Sequence, residues 1–189
     1  MQASAQTERA AWTHDTRVIA VDSLDNEIGF MSRADAHLSR GVLHRAFMVV
    51  LIDDAGRIVL ARRSAHKRLW PLFWADSCAG HPAPGEDIVE AAARRVEEEL
   101  RCRPERLRPV GSFIYQAGYQ GLGSEHELCH VLVGRVRGID DPDPAEVAEV
   151  RSFDADRLDT IAAAEPEKFA PWLLECLTAF PSRTFVAAP

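Results

Sequence analysis

Three imidazoles and two carboxylates, from His37, His44, His81, Glu125 and Glu127, are the residues of this chain best suited to do chemistry. Nitrogen and oxygen donors in one shell suit a borderline divalent cation, and the residues alone do not choose among Mg2+, Mn2+ and Zn2+. A lone histidine is more often a surface or satisfied core residue, so it is the set of five that points to metal. His81 stands at its centre, in the run Trp74-Ala75-Asp76-Ser77-Cys78-Ala79-Gly80-His81-Pro82.

These residues lie far apart in sequence, so several elements must carry them to one place. Residues 16–21 read as a strand. Asp25-Asn26-Glu27 is then a turn before a second short extended run. Residues 33–38 suit one helical turn. Residues 47–52 form a continuous apolar run that reads as a buried strand, ended by Asp53-Asp54-Ala55-Gly56, and residues 57–61 pair with it across that turn. Residues 85–101 give the clearest helix, with Ile88, Ala92, Val96 and Leu100 in an i, i+4 stripe. Asp87 near its start and Arg94, Arg95 and Arg101 toward its end suit the helix dipole. Residues 109–115 and 128–137 read as strands, and residues 169–177 as a closing helix after Pro166. Mixed strands with a few helices predict an α/β (α+β) fold, a sandwich of mixed β-sheet flanked by helices.

Bulk composition narrows the function classes. The chain has 189 residues, 47% hydrophobic and 27% charged, which predicts one folded domain with a sizeable core. A net charge of −7 argues against nucleic acid as a partner. No apolar run is long enough to span a membrane. The first residues lack the basic and apolar regions of a signal peptide. Cys78, Cys102, Cys129 and Cys176 show neither paired zinc spacing nor a dense disulfide pattern, which fits a reducing cytoplasm.

The segment from Gly80 to Arg101 resembles a Nudix box. Gly80, Glu86, Arg94, Val96, Glu98 and Glu99 stand in their places, while Arg95 replaces a glutamate and Arg101 the closing glycine. A cation in place of a metal-binding carboxylate argues against simple diphosphate hydrolysis. Arg95 and Glu99 are four apart and share a helical face. An arginine beside a metal-binding glutamate can hold a diphosphate without cleaving it. From about residue 17 to 178 the chain is similar to the type 1 isopentenyl-diphosphate isomerases, a Nudix-fold family. The likeness runs in order through His37 and His44, Arg62-Arg63, Lys67 before Trp70-Pro71, Ser77-x-x-Gly80-His81-Pro82, Glu99, Phe113-x-Tyr115, Glu125-x-Glu127 and Pro171-Trp172.

That resemblance implies a Nudix-like isomerase domain over residues 16–180, between a flexible tail at 1–15 and a second tail at 181–189. It implies that His37, His44, His81, Glu125 and Glu127 bind the first metal, and that Glu99 binds Mg2+ gripping the substrate diphosphate. Arg33, Arg63, Lys67 and Arg95 would neutralise phosphates. Trp172 would face a carbocation, and Glu127 near Tyr115 would protonate the alkene. The implied partner is a prenyl diphosphate, handled by a monomer.

In the family the base on the opposite face is a cysteine, and its position here is Ala79. Cys78 is adjacent but points to the other face if the segment is extended. Asp76 and Cys129 also replace residue types common in the family, an amide and often a carboxylate. Three readings follow: an isomerase inactivated by a cysteine-to-alanine substitution; a divergent relative doing proton-initiated cyclisation, hydration or rearrangement of another prenyl diphosphate; or a non-catalytic binding protein. Glu97 reads as a solvated helix face, Cys102, Cys129 and Cys176 as packing residues, and His66, His126 and His130 as structural.

Overall fold

The computed structural model describes residues 17–187, so the segment expected to be an N-terminal tail lies outside the described residues. In chain order it contains β1 (Arg17–Val21), β2 (Glu27–Ser32), α1 (Arg33–Ala36), β3 (His44–Ile52), β4 (Ile58–Arg63), β5 (Trp74–Ala75) and β6 (Cys78–Gly80). There follow α2 (Ile88–Leu100), β7 (Glu105–Tyr119), β8 (Gly123–Arg135), β9 (Val147–Phe153), α3 (Ala155–Ala164), a 3-10 turn at Pro166–Lys168, α4 (Pro171–Ala179) and α5 (Arg183–Val186).

β3 is apolar along most of its length because it is covered on both faces. Side chains alternate across a strand. Met48, Val50 and Ile52 therefore join one core layer, with Trp74, Tyr115, Cys129 and Trp172. Phe47, Val49 and Leu51 join the other, with Ala91, Ala92, Val96 and Leu100 of α2. Leu158 of α3, Leu173 of α4 and Phe185 of α5 close the first face. The expected mixed-sheet sandwich is therefore what the chain forms, with α2 on one side and three helices on the other. Along one edge β3 runs parallel to β8, His44 opposite Glu127. Along the other edge it meets β1, β6 and β4 in turn, all antiparallel.

The structure corrects several boundaries. β7 and β8 are longer than expected, and β7 tolerates Pro109 because its register shifts there in a bulge. β9 and α3 were not expected at all. The C-terminal residues 181–187, expected as a tail, instead pack onto the core through two anchors: Phe185 is 1% exposed and Ser182 is fully buried.

α2 begins at an Asp87 cap whose side chain accepts from Val89 and Glu90 backbone N–H groups. It ends at Arg101 in the left-handed region, φ 51°, the position where a Nudix box has glycine. A side chain there costs about 1–2 kcal/mol, against about 0.5–1 kcal/mol of extra unfolded-state freedom for glycine. Arg101→Gly is therefore expected to stabilise the protein by about 0.5–1 kcal/mol, since its ion pair with Asp141 is solvent-exposed. Urea unfolding checks this, and a clear loss of stability would refute it.

Candidate functional site

The ends of β3, β6 and β8 meet the turn after α1, and that meeting brings the predicted histidines and glutamates together. His44 opens β3 beside Glu127 in the parallel register. His81 follows β6 directly. Glu125 and Glu127 are two apart on β8, so both project from one face. His37 caps the C-terminus of α1, and Gly123 lets its backbone approach: a Cβ there would stand 2.8 Å from the His37 carbonyl oxygen.

The imidazoles are aimed by backbone carbonyls. His37 Nδ1 lies 2.6 Å from the Arg33 oxygen and His44 Nδ1 2.7 Å from the Val42 oxygen. A carbonyl only accepts, so both Nδ1 atoms carry a proton and the neutral rings point lone pairs inward from Nε2. Those lone pairs converge. His44 Nε2 is 3.0 Å from His81 Nε2, which is 2.9 Å from Glu127 Oε1. A single proton on His81 serves one of those neighbours, not both. Ligand atoms of His37, His44, His81 and Glu127 all lie within 4.8 Å of one another. Glu125 stands just outside that group, its Oε2 2.6 Å from His37 Nε2 but without hydrogen-bond alignment. Donors crowded with too few protons between them fit a divalent cation.

Electrostatics agree. Burial opposes charge on His37, yet the Glu125 carboxylate outweighs it and raises the pKa, drawing a proton toward the place a cation would take. His81, buried among the other rings, is pushed down to about 3 despite Glu127. Burial alone would raise Glu127, but His44 and His81 hold it well below the usual carboxylate range. Glu125, buried beside Glu127, is raised.

Glu127 uses its two oxygens differently. Oε1 faces the histidines, while Oε2 accepts from the Tyr115 hydroxyl at 2.6 Å. Tyr115 is directly opposite Glu127 in the β7–β8 register. Its ring lies 6.4 Å from that of Trp172. Trp172 in turn meets Trp70 edge-on at 5.4 Å, and Trp70 meets Tyr119 at 5.1 Å. The wall beside the carboxylate is thus aromatic.

A second, charged cluster lies at the α2 side. Arg95 pairs with Glu99 and reaches Glu98 at 2.5 Å and Glu146 at 3.5 Å. Lys67 also pairs with Glu146. Burial, then the charges of Arg63, Arg33 and Arg95 working against the attraction of Glu99, bring Lys67 down to about 8. Lys67 therefore feels the charge of the other three predicted cations. Arg63 is placed differently from the rest: it donates to the Leu69 and Trp70 carbonyls and stacks 5.0 Å over Trp172. Arg94 is a helix brace, bidentate to Glu86 at 2.8 and 2.9 Å. Sequence reasoning missed Glu146 and Tyr119. Glu146 sits in an acidic loop with Asp140, Asp141 and Asp143, and nothing in that run marks it out.

Ala79 lies opposite Met48 in the β3–β6 register, so its methyl faces the layer of Tyr115 and Trp172. Cys78 faces the other way, into the layer under α2, and burial raises its thiol pKa well above the ordinary value. Asp76 is 2% exposed. Its Oδ1 accepts from Trp172 Nε1 at 2.8 Å, and its Oδ2 has no partner.

Burial raises Asp76 to about 7, against the Trp172 hydrogen bond. A raised carboxyl gives stability that is complete below its unfolded value of 3.8 and lost as pH rises through about 7. Asp76→Asn keeps the Trp172 acceptor and has no such loss. Between pH 4 and pH 8 the variant is expected to gain about 2–4 kcal/mol relative to the parent. Parallel pH profiles would refute the buried ionisation.

The NUDIX domain family matches residues 42–173. The chain is similar to the isopentenyl-diphosphate Delta-isomerase of Nocardia farcinica, 46% identical over 158 residues that cover 83% of this chain and 90% of that one. It is 41% identical to the protein of the same name from Frankia alni over 167 residues, 88% of this chain and 86% of that one. Among solved structures, a Deinococcus radiodurans protein superposes with TM-score 0.69 at 24% identity, covering 86% of this chain and 98% of that chain. A MutT protein from Methanosarcina mazei gives TM-score 0.57 at 18% identity, covering 72% and 91%. These two likenesses bear on the fold alone.

Proposed function

The chain belongs to the NUDIX domain family and, within it, to the isopentenyl-diphosphate Delta-isomerases, and on that premise we propose that it interconverts isopentenyl and dimethylallyl diphosphate. The observation that carries this reading is Glu127. One carboxylate oxygen is turned to the histidine group and the other to Tyr115 beside Trp172. An unactivated alkene is a very poor base, so its protonation needs a strong, fixed acid and a wall that tolerates a tertiary cation. A carboxyl held low is a strong acid once it carries a proton. Burial raises the Tyr115 hydroxyl well above its ordinary range, so it keeps its own proton and orients Oε2.

In this reading His37, His44, His81 and Glu127, with Glu125 beside them, hold Mg2+, Mn2+ or Zn2+. The cation supplies positive charge that fixes the Glu127 carboxylate. Glu99 holds Mg2+ at the diphosphate, and Lys67, Arg95 and Arg33 neutralise the phosphates. Arg63 supports the aromatic wall from beneath Leu69 and Trp70. All these groups come from one chain, consistent with a monomer, and all four cysteines are free thiols, which suits the cytoplasm. No helix among the described residues is long and apolar enough to cross a membrane.

The test is product analysis with metal-loaded protein in D2O. Dimethylallyl diphosphate carrying deuterium is the expected product from isopentenyl diphosphate. Tight binding without any shift of the double bond would sink the proposal. The methyl of Ala79 favours one alternative, a proton-initiated cyclisation, hydration or rearrangement of a longer prenyl diphosphate. Ten- and fifteen-carbon diphosphates in the same assay address it.

A further inference from the structure

Moving a double bond takes a second proton transfer, and a fixed acceptor for it is sought among the chain's own residues. Given the isomerase reading, on which this inference rests, the first transfer breaks the Glu127 O–H bond. It forms a C–H bond at the terminal methylene carbon and leaves a tertiary cation. The second must break a C–H bond on the neighbouring carbon, whose electron pair becomes the new C=C. The position facing this layer from β6 is Ala79, and a methyl group accepts no proton.

The layer that Ala79 faces contains few heteroatoms able to take one. Tyr115 already donates its hydroxyl to Glu127. Cys129 and Cys176 are buried thiols, and desolvation raises both above the ordinary range. Glu125 shares the β8 face of Glu127, but its Oε2 is turned to His37 Nε2 at 2.6 Å, on the donor's side of the site; among the described residues that leaves Asp76. Its Oδ1 is clamped by Trp172 at 2.8 Å, and its Oδ2 is buried without a partner. A carboxylate oxygen left unsatisfied in a protein interior is costly and rarely kept without a task. The clamp also fixes its place. Asp76 sits at one end of the Trp172–Tyr115 pair, whose rings are 6.4 Å apart, and Glu127 Oε2 sits at the other end, 2.6 Å from Tyr115. The break between β5 and β6 is what allows this. Asp76 lies three residues before Ala79, a spacing that would put them on opposite faces of an uninterrupted strand, yet it bonds to a side chain of the layer Ala79 faces.

We propose that Asp76 Oδ2 accepts the second proton, in the role that a thiol at position 79 would otherwise fill. The reaction then balances without any other reactant: Glu127 ends ionised, Asp76 ends protonated, and exchange with solvent resets both. A carboxyl poised near 7 suits the reverse direction as well, where Asp76 becomes the donor.

The experiment uses the metal-loaded full chain with isopentenyl diphosphate and compares the parent, Asp76→Asn, Ala79→Cys and the double variant. Asp76→Asn is expected to lower kcat by about 10²–10⁴-fold with KM close to the parent's. In the Ala79→Cys background the same change should cost less than about 10-fold, because a thiol now faces the cation. The amide variant should also be the more stable protein at pH 8, which separates lost chemistry from lost folding. Parental kcat in Asp76→Asn overturns the proposal while leaving the isomerase reading intact. So does an equal loss in both backgrounds, which would mark Asp76 as only a support for Trp172. A parent that binds isopentenyl diphosphate but never shifts its double bond overturns both.

Discussion

Glu127→Gln lowers kcat by at least about 10²–10⁴-fold, the range for removing a positioned general acid. The amide is nearly isosteric and Tyr115 can still hydrogen-bond to it, so the fold should remain. Two consequences separate here because the two oxygens face different ways. Loss of charge at Oε1, 2.9 Å from His81, weakens the hold on the cation. Loss of the acidic proton at Oε2, 2.6 Å from Tyr115, removes the donor. Saturating the variant with Mn2+ or Mg2+ restores the first and not the second. Tyr115→Phe is the graded control. It deletes one hydrogen bond to a charged group, worth about 1.5–3 kcal/mol, and so should lower kcat by about 10–100-fold with little change in KM. Full recovery of Glu127→Gln by added metal would show that this glutamate is a ligand only.

How much of this was legible in the sequence differs between elements for physical reasons. α2 announced itself because an i, i+4 stripe is a local signal and its Asp87 cap is adjacent to it. β3 was legible as an apolar run, but its double coverage depends on which residues come to lie above and below, and no local pattern states that. β9 and α3 escaped notice because their apolar residues are interrupted by charges such as Arg151, Asp156 and Arg157 that remain at the surface. Phe185 fell within the expected C-terminal tail, yet its helix packs against α3 and β3.

The site shows the same division. His37, His44, His81, Glu125 and Glu127 are recognisable as donor types in a familiar order, so their grouping could be expected. Their tautomers could not, because those are set by the carbonyls of Arg33 and Val42. Arg63 looked like any phosphate-binding arginine, and only the structure shows that its Nε and Nη2 turn to two carbonyls while the guanidinium lies over Trp172. Asp76 stood out in the sequence only as an odd substitution. Its unpartnered oxygen is a property of the packed core and appears only once Trp172 is in place.

Arg95 should determine whether the helix cluster grips a diphosphate or attacks it. It takes the place of a Nudix-box glutamate, and its guanidinium is shared among Glu98, Glu99 and Glu146. Three carboxylates around one arginine leave room for an incoming anion only if some of them turn to a metal, which is the arrangement proposed for Glu99. Arg95→Gln removes one charge-assisted contact of about 1.5–3 kcal/mol, so affinity for isopentenyl diphosphate should fall about 10–100-fold in a calorimetric titration with Mg2+ present. Arg95→Glu should fall further, because a fourth carboxylate repels the phosphates and pulls Lys67 away from them. The reversal also returns the carboxylate that simple hydrolysis would use, so diphosphate cleavage should rise above the parent's background while isomerisation falls. Unchanged affinity in both variants would remove Arg95 from the binding site and leave its pairing with Glu99 as a helix brace.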